Sequence, residues 1–115
     1  MRRGEIWLVD LTPAVGSEAK KIRPAVVVSN DGANVATERS RRGVVTVVPV
    51  TSNVARVHPF QVLLPADETG LHQDSKAQAE QVRSVSVQRL GRRVGQLPPA
   101  LLRQLDAALR LHLTL

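Results

Sequence analysis

The sequence contains no cysteine, and only two of its 115 residues are aromatic, Trp7 and Phe60. Without cysteine the chain has no disulfide framework, no thiol nucleophile and no thiolate metal site. With so few rings, a platform that stacks successive bases of a single strand is not expected. If the protein binds nucleic acid, hydrogen bonds and charge must therefore carry most of the recognition.

Long apolar runs are also missing, because none approaches the roughly 18 residues that span a bilayer. The N-terminus goes straight into charged, strand-like sequence, with no signal peptide in view, so we expect a cytoplasmic protein without membrane contact. Apolar residues make up 43% of the chain, which is ordinary for a globular protein. The length suits one domain over residues 1–115.

Basic residues clearly outnumber acidic residues in this sequence. Sixteen Lys and Arg residues against ten Asp and Glu give a formal charge of +6. Such a balance indicates an anionic partner, either a nucleic acid or an acidic protein. A solvated basic surface without a ligand is the alternative that composition leaves open.

Short β-branched runs separated by polar loops predict a mainly β fold. We expect strands over residues 5–9, 24–29, 44–50, 60–64 and 77–85, and a short edge strand around Val94. Residues 30–43 are predicted as a loop that includes one helical turn, and residues 66–75 as another loop. After Pro98 and Pro99, apolar residues recur at helical spacing. The predicted architecture is a small antiparallel sheet or partly open barrel with a covering C-terminal amphipathic helix.

Arg23 is the first candidate for chemistry. Pro24 pushes it into an extended conformation at the mouth of a strand. Thr51 and Ser52 end the third predicted strand, so a guanidinium fork and a hydroxyl could clamp a phosphate together. Alternatively, Arg23 forms a salt bridge with Glu18, and Thr51 and Ser52 merely cap a turn.

Two other groups of residues carry weaker signals. Glu80 and Arg83 could orient a ribose 2′-OH and its phosphate, or only satisfy each other on a sheet face. The three histidines have no metal-ligand spacing. His58 and His72 could act as base and acid of a ribonuclease, whereas His112 falls on the apolar stripe of the helix, where packing is its expected role.

Taken in order, these elements resemble the MazF/PemK/Kid family of toxin endoribonucleases. The resemblance runs from about Arg3 to the C-terminal helix and is carried by Arg3-Gly4-Glu5-Ile6-Trp7, Gly16-Ser17-Glu18, Arg23-Pro24-Ala25-Val26-Val27-Val28, Val48-Pro49-Val50-Thr51-Ser52, Pro59-Phe60-Gln61-Val62, Asp74-Ser75 and Glu80-Gln81-Val82-Arg83-Ser84-Val85.

The resemblance implies an SH3-like, partly open barrel that works as a homodimer. It implies cleavage of single-stranded RNA at a short sequence, with no metal or cofactor, to give 2′,3′-cyclic phosphate and 5′-hydroxyl ends. It also implies neutralisation by a MazE-like antitoxin with an acidic tail. CcdB-like toxins share the fold but poison DNA gyrase without cleaving, and that is the alternative function.

The resemblance also assigns roles to residues. Arg23 and Thr51 fall on the catalytic positions of the family. Glu80 falls where one branch has a proposed general base, although that branch has aspartate there, so the base stays unassigned. The substrate-binding residues that we expect are Ser17, Glu18, Ser52, Gln78, Glu80, Gln81 and Arg83, of which Ser17 and Gln78 replace a histidine and an arginine of that branch.

Overall fold

The sheet is organised around its longest strand, β3, in the computed structural model, which describes residues 1–115. The strands are β1 (Glu5–Asp10), β2 (Ile22–Val27), β3 (Val44–Thr51), β4 (Gln61–Leu64), β5 (Ser75–Gln78), β6 (Arg83–Ser86) and β7 (Leu90–Gln96). The α-helices are α1 (Asp31–Ser40), α2 (Ala66–Thr69) and α3 (Pro99–Leu113).

All strand pairs are antiparallel, and the spatial order is β4-β5-β3-β2-β1-β7. The second neighbour of β3 changes along its length: β6 pairs with its first half and β5 with its last residues. The strands β4 and β7 end the order without pairing with each other, so the sheet stays open. The predicted mainly β, partly open antiparallel fold with a C-terminal helix is confirmed.

Alternating side chains of the strands form two apolar clusters, one on each face of the sheet. In β3, Val48 and Val50 belong to the cluster that α3 covers, and Val45 and Val47 to the other. Helix α3 buries its apolar stripe, including Leu105, which is fully inaccessible. No helix in the chain is both long enough and apolar enough to cross a membrane. The predicted amphipathic helix is confirmed.

The prediction that His112 packs into that stripe is wrong. The apolar stripe is buried only as far as Ala108, and His112 lies exposed near the end of α3. Its ring centroid is 6.5 Å from that of Phe60, in a tilted arrangement.

The prediction of a loop over residues 30–43 is wrong, because these residues contain the ten-residue helix α1. The side-chain oxygen of Asn30 caps its first turn by accepting a hydrogen bond from the Ala33 N–H at 2.8 Å. Only Asn34 of this helix is buried. An apolar stripe, which is the signal that reveals most helices, is therefore absent here.

The prediction of a single strand over residues 77–85 is also wrong. A 3₁₀ turn at Ala79–Gln81 divides it into β5 and β6. Both pieces pair with β3, and the turn carries the chain from one to the other. In addition, the loop over residues 66–75 begins with the one-turn helix α2, and the short strand around Val94 is the seven-residue β7.

Two glycines let the segment after α2 lie directly against β7. A Cβ atom at Gly95 would stand only 2.4 Å from the carbonyl oxygen of Thr69. Gly70, with a φ of 86°, ends α2 in the left-handed region and faces the Gly95 backbone. This contact places Thr69 and Gly70, and with them the start of the segment over residues 70–73, beside β7.

Candidate active site

A cavity of about 660 Å³ opens where β2 begins and β3 ends. Residues 70–73 and Arg92–Val94 of β7 also line it. Its polar side chains are those of Lys21, Arg23, Thr51, Ser52, His72, Gln73, Ser75, Arg92 and Arg93. Four of these side chains are cationic and no carboxylate lines the cavity, which suits a polyanionic ligand.

The register between β2 and β3 brings Arg23 and Thr51 together. Ala25 is paired with Pro49, so the same register continued by two residues places Arg23 opposite Thr51. Residues opposite each other on antiparallel strands point to the same face with their Cβ atoms about 5 Å apart. The two residues that the sequence put forward as a phosphate clamp therefore share one wall of the cavity.

The guanidinium of Arg23 forms no ion pair with a carboxylate. Its Nε donates to the carbonyl oxygen of Lys20 at 2.7 Å, which orients the guanidinium. None of the ion pairs in the structure involves Arg23 or Glu18. The structure therefore does not contain the Arg23–Glu18 salt bridge of the alternative interpretation.

Thr51 does take part in a turn, as the structural alternative proposed. Its Oγ1 accepts a hydrogen bond from the Asn53 N–H at 3.3 Å. This contact uses a lone pair of the oxygen and leaves the hydroxyl proton available to a ligand. Ser52 is exposed beside it on the cavity wall.

Gln81 fastens the β1–β2 loop to the body of the protein. Its Nε2 donates to the Ser17 carbonyl oxygen at 3.0 Å, and its Oε1 accepts from the Ala19 N–H at 3.0 Å. Ser17 and Glu18 are exposed on that loop. Gln81 thus positions two of the residues that we expect to bind substrate.

Glu80 and Arg83 do not bind each other. Glu80, in the 3₁₀ turn, accepts a hydrogen bond from Gln61 Nε2 at 2.8 Å. Its other carboxylate oxygen and Nη1 of Arg83 are both buried without a hydrogen-bond partner. Gln78, at the end of β5, pairs in register with Gln61.

The structure divides the predicted site residues into groups. Arg23, Thr51 and Ser52 line the cavity. The others lie outside its lining: Ser17 and Glu18 on the β1–β2 loop, and Gln78, Glu80, Gln81 and Arg83 on and beside the 3₁₀ turn.

Sequence reasoning missed Lys21, Gln73, Arg92 and Arg93 as cavity residues. The sequence signal for Arg92 and Arg93 is that two arginines stand between Gly91 and Gly95 in a basic chain. Only the pairing of β1 with β7, however, brings these residues to the cavity.

The two histidines of the ribonuclease alternative are separated. His72 lines the cavity, whereas His58 does not and stacks on Phe60 at a centroid distance of 5.2 Å.

Glu5 orients Arg93, since its Oε2 lies 3.2 Å from Arg93 Nη1. Burial raises the pKa of Glu5. Hydrogen bonds from the Arg2 N–H and the Trp7 indole, together with the charge of Arg93, outweigh burial and hold that pKa below its ordinary value of 4.5. Glu5 is therefore a fixed anion behind one of the cationic side chains of the cavity.

Residues 2–113 of this cationic fold match the family described as PemK-like, MazF-like toxins of type II toxin–antitoxin systems. The chain belongs to this family. It is 65% identical over 115 residues to Endoribonuclease MazF9 of Mycobacterium tuberculosis, an alignment that covers 100% of this chain and 98% of the relative. The predicted family resemblance is confirmed.

Solved structures of the family have the same fold. MazF of Deinococcus radiodurans superposes with a TM-score of 0.83 at 28% identity, covering 100% of this chain and 97% of that one. A MazE–MazF structure from the same organism superposes with a TM-score of 0.73 at 26% identity, covering 98% of this chain and 94% of that one.

Proposed function

We propose that this member of the PemK-like, MazF-like toxins is a metal-independent endoribonuclease that cleaves single-stranded RNA at a short sequence. The observation that carries the proposal is that Arg23 and Thr51 both line a cavity that is cationic and free of carboxylates. The relative that is 65% identical over the whole chain is an endoribonuclease, which supports the same activity.

The chemistry follows from what the cavity offers. In the proposed reaction the ribose 2′-oxygen loses its proton to a base and forms a bond to the adjacent phosphorus. The bond from phosphorus to the 5′-oxygen breaks, and that oxygen takes up a proton. The products are a 2′,3′-cyclic phosphate and a 5′-hydroxyl, and DNA is excluded because it lacks the attacking group.

Arg23 has the role of stabilising negative charge. Its guanidinium offers two parallel N–H donors to the non-bridging phosphate oxygens, where charge builds in the transition state. It does not act as a base, because a guanidinium has no acceptor and keeps its proton in proteins. The Thr51 hydroxyl adds a neutral donor, and Ser52 lies next to it.

The remaining residues proposed for substrate binding extend the site from the cavity. They are Ser17 and Glu18 on the loop that Gln81 fastens, together with Gln78, Glu80, Gln81 and Arg83. The β1–β2 loop is exposed, and exposed loops held by a rigid scaffold commonly carry binding residues. We therefore assign recognition of the RNA sequence to this loop.

The decisive experiment incubates the purified protein with single-stranded RNA in EDTA. We expect defined fragments with 5′-hydroxyl ends, and no cleavage where a 2′-deoxynucleotide replaces the attacking ribose. Arg23→Ala is expected to abolish cleavage. Arg39→Ala, in the exposed last turn of α1, is the matched control and should cleave normally.

Thr51→Val removes the hydroxyl while keeping the branched shape. We expect it to slow cleavage at least about tenfold, which corresponds to about 1.4 kcal/mol of barrier. Normal cleavage by the Arg23→Ala protein would refute the mechanism, and an unchanged rate with Thr51→Val would remove that residue from it. Inhibition of gyrase without RNA fragments would instead support a CcdB-like toxin.

The proposed partner is a MazE-like antitoxin with an acidic tail, and the proposed working unit is a cytoplasmic homodimer of single-domain chains over residues 1–115. A MazE–MazF assembly has been solved for the Deinococcus radiodurans relative. The net charge of +6 suits an acidic segment. Co-expression with an acidic candidate should yield a complex that weakens with salt, and sedimentation of the toxin alone should give twice the chain mass.

A further inference from the structure

The proposed cleavage reaction needs a base for the 2′-hydroxyl, and the cavity is rich in donors instead. Lysine and arginine side chains have no acceptor, so Lys21, Arg23, Arg92 and Arg93 can stabilise charge but cannot take up a proton. Serine and threonine hydroxyls and the Gln73 amide are too weakly basic at neutral pH. Among the side chains that line the cavity, His72 alone carries an imidazole, whose neutral ring has a nitrogen that can accept a proton.

The carboxylates near the site all lie outside the cavity lining. Glu5 is paired with Arg93, and Asp74 accepts a hydrogen bond from the Ala66 N–H at 2.9 Å. Glu80 accepts from Gln61 and lies outside the cavity lining. Glu18 is exposed on the β1–β2 loop, also outside the lining.

His72 itself is free to act. It is exposed on the cavity wall and forms no hydrogen bond with the rest of the protein. The segment that carries it is held in place by the close contact of Gly70 and Thr69 with Gly95. A neutral imidazole on a fixed segment offers one unprotonated nitrogen to a ligand.

We propose that His72 is the general base of this toxin, an inference that rests on the proposed ribonuclease function. In the step, the neutral imidazole accepts the 2′-hydroxyl proton while the 2′-oxygen bonds to phosphorus, and the imidazolium remains until solvent removes the proton. The cationic side chains stabilise the phosphorane charge. The leaving 5′-oxygen takes its proton from solvent or from a donor of the cavity.

The test compares His72→Gln with His58→Gln, whose side chain stacks on Phe60 outside the cavity. We expect His72→Gln to cleave single-stranded RNA at least about 100-fold more slowly, the usual contribution of a general base. His58→Gln should cleave within threefold of the wild-type protein. Binding of a 2′-O-methyl RNA, which cannot react, should stay within threefold for both variants.

A pH–rate profile separates base catalysis from a positioning role. The wild-type rate should rise with pH and level off as the imidazole becomes neutral, and His72→Gln should lack that acidic limb. A rate within threefold of wild type, a slow variant that keeps the acidic limb, or loss of that limb in Glu80→Gln instead would overturn the assignment. If the wild-type protein cleaves no RNA at all, the proposed function fails first, so the two failures are distinguishable.

Discussion

Replacing Gly95 by alanine tests how the wall of the cavity is held. The new Cβ would lie 2.4 Å from the Thr69 carbonyl oxygen and 3.3 Å from Ile6 Cδ1, whereas ordinary contact begins at 3.4 Å. The Thr69 backbone must therefore move by about 1 Å, and forced repacking of this kind costs about 1–3 kcal/mol.

Thr69 has little freedom to move. The residue is 4% exposed, and its Oγ1 donates to the Pro65 carbonyl oxygen at 2.9 Å while accepting from the Leu71 N–H at 3.3 Å. Displacement of Thr69 is transmitted to Gly70, Leu71 and His72, which line the cavity. We therefore expect slower RNA cleavage in addition to the loss of stability.

Gly91→Ala is the matched control on the same strand. Its Cβ would meet the Leu8 carbonyl oxygen at 3.5 Å, which is ordinary contact. Both variants gain the same reduction in unfolded-state entropy. Urea unfolding at one fixed protein concentration should show a midpoint about 1 M lower for Gly95→Ala, since about 2 kcal/mol divided by a slope of about 2 kcal/mol/M gives that shift. Equal midpoints for the two variants would refute the reasoning.

The other two predictions concern charge. The pKa of Glu5 lies below 4.5 for the reasons given above, and the hydrogen bond from the Arg3 N–H holds the pKa of Asp31 below its ordinary value of 3.8. The stabilisation that these two carboxylates give is complete above their ordinary values and is lost as pH falls through the lower folded-state values. Thermal melts between pH 6 and pH 2 should show this loss, and Glu5→Gln should lose less. Binding of a 2′-O-methyl RNA should weaken with salt, and Arg92→Gln should reduce the slope of log K against log salt by about 0.7, as for one phosphate contact. Arg39→Gln should leave the slope unchanged, and an equal change in both variants would contradict the assignment of Arg92 to the cavity.

Local sequence signals were sufficient for the elements that carry the clearest patterns. The β-branched run of β3 and the apolar spacing of α3 predict their structures directly, and Pro24 places Arg23 at the start of β2. Helix α1 was missed because it packs almost no apolar surface: a cap at Asn30 was its only local signal. The 3₁₀ turn at Ala79–Gln81, which separates β5 from β6, was missed because it depends on the pairing of β3 with both of these strands.

The candidate site was predictable only in part for a similar reason. Arg23 and Thr51 could be chosen from the sequence because each ends or begins a recognisable strand. Arg92 and His72 reach the same cavity through contacts between β1 and β7 and between Thr69 and Gly95. Such contacts join residues far apart in the chain, and no local pattern reports them.

The pairing of β1 with β7 has a consequence for synthesis on the ribosome. Glu5 is paired with Gln96, so β1 is synthesised long before the strand that it must meet. Pairing between such distant segments forms late, and the N-terminal part of a nascent chain emerges first. Until β7 has left the exit tunnel, the cavity lacks its Arg92–Val94 wall. A nascent chain is therefore not expected to present the complete cavity before β7 has emerged and paired with β1.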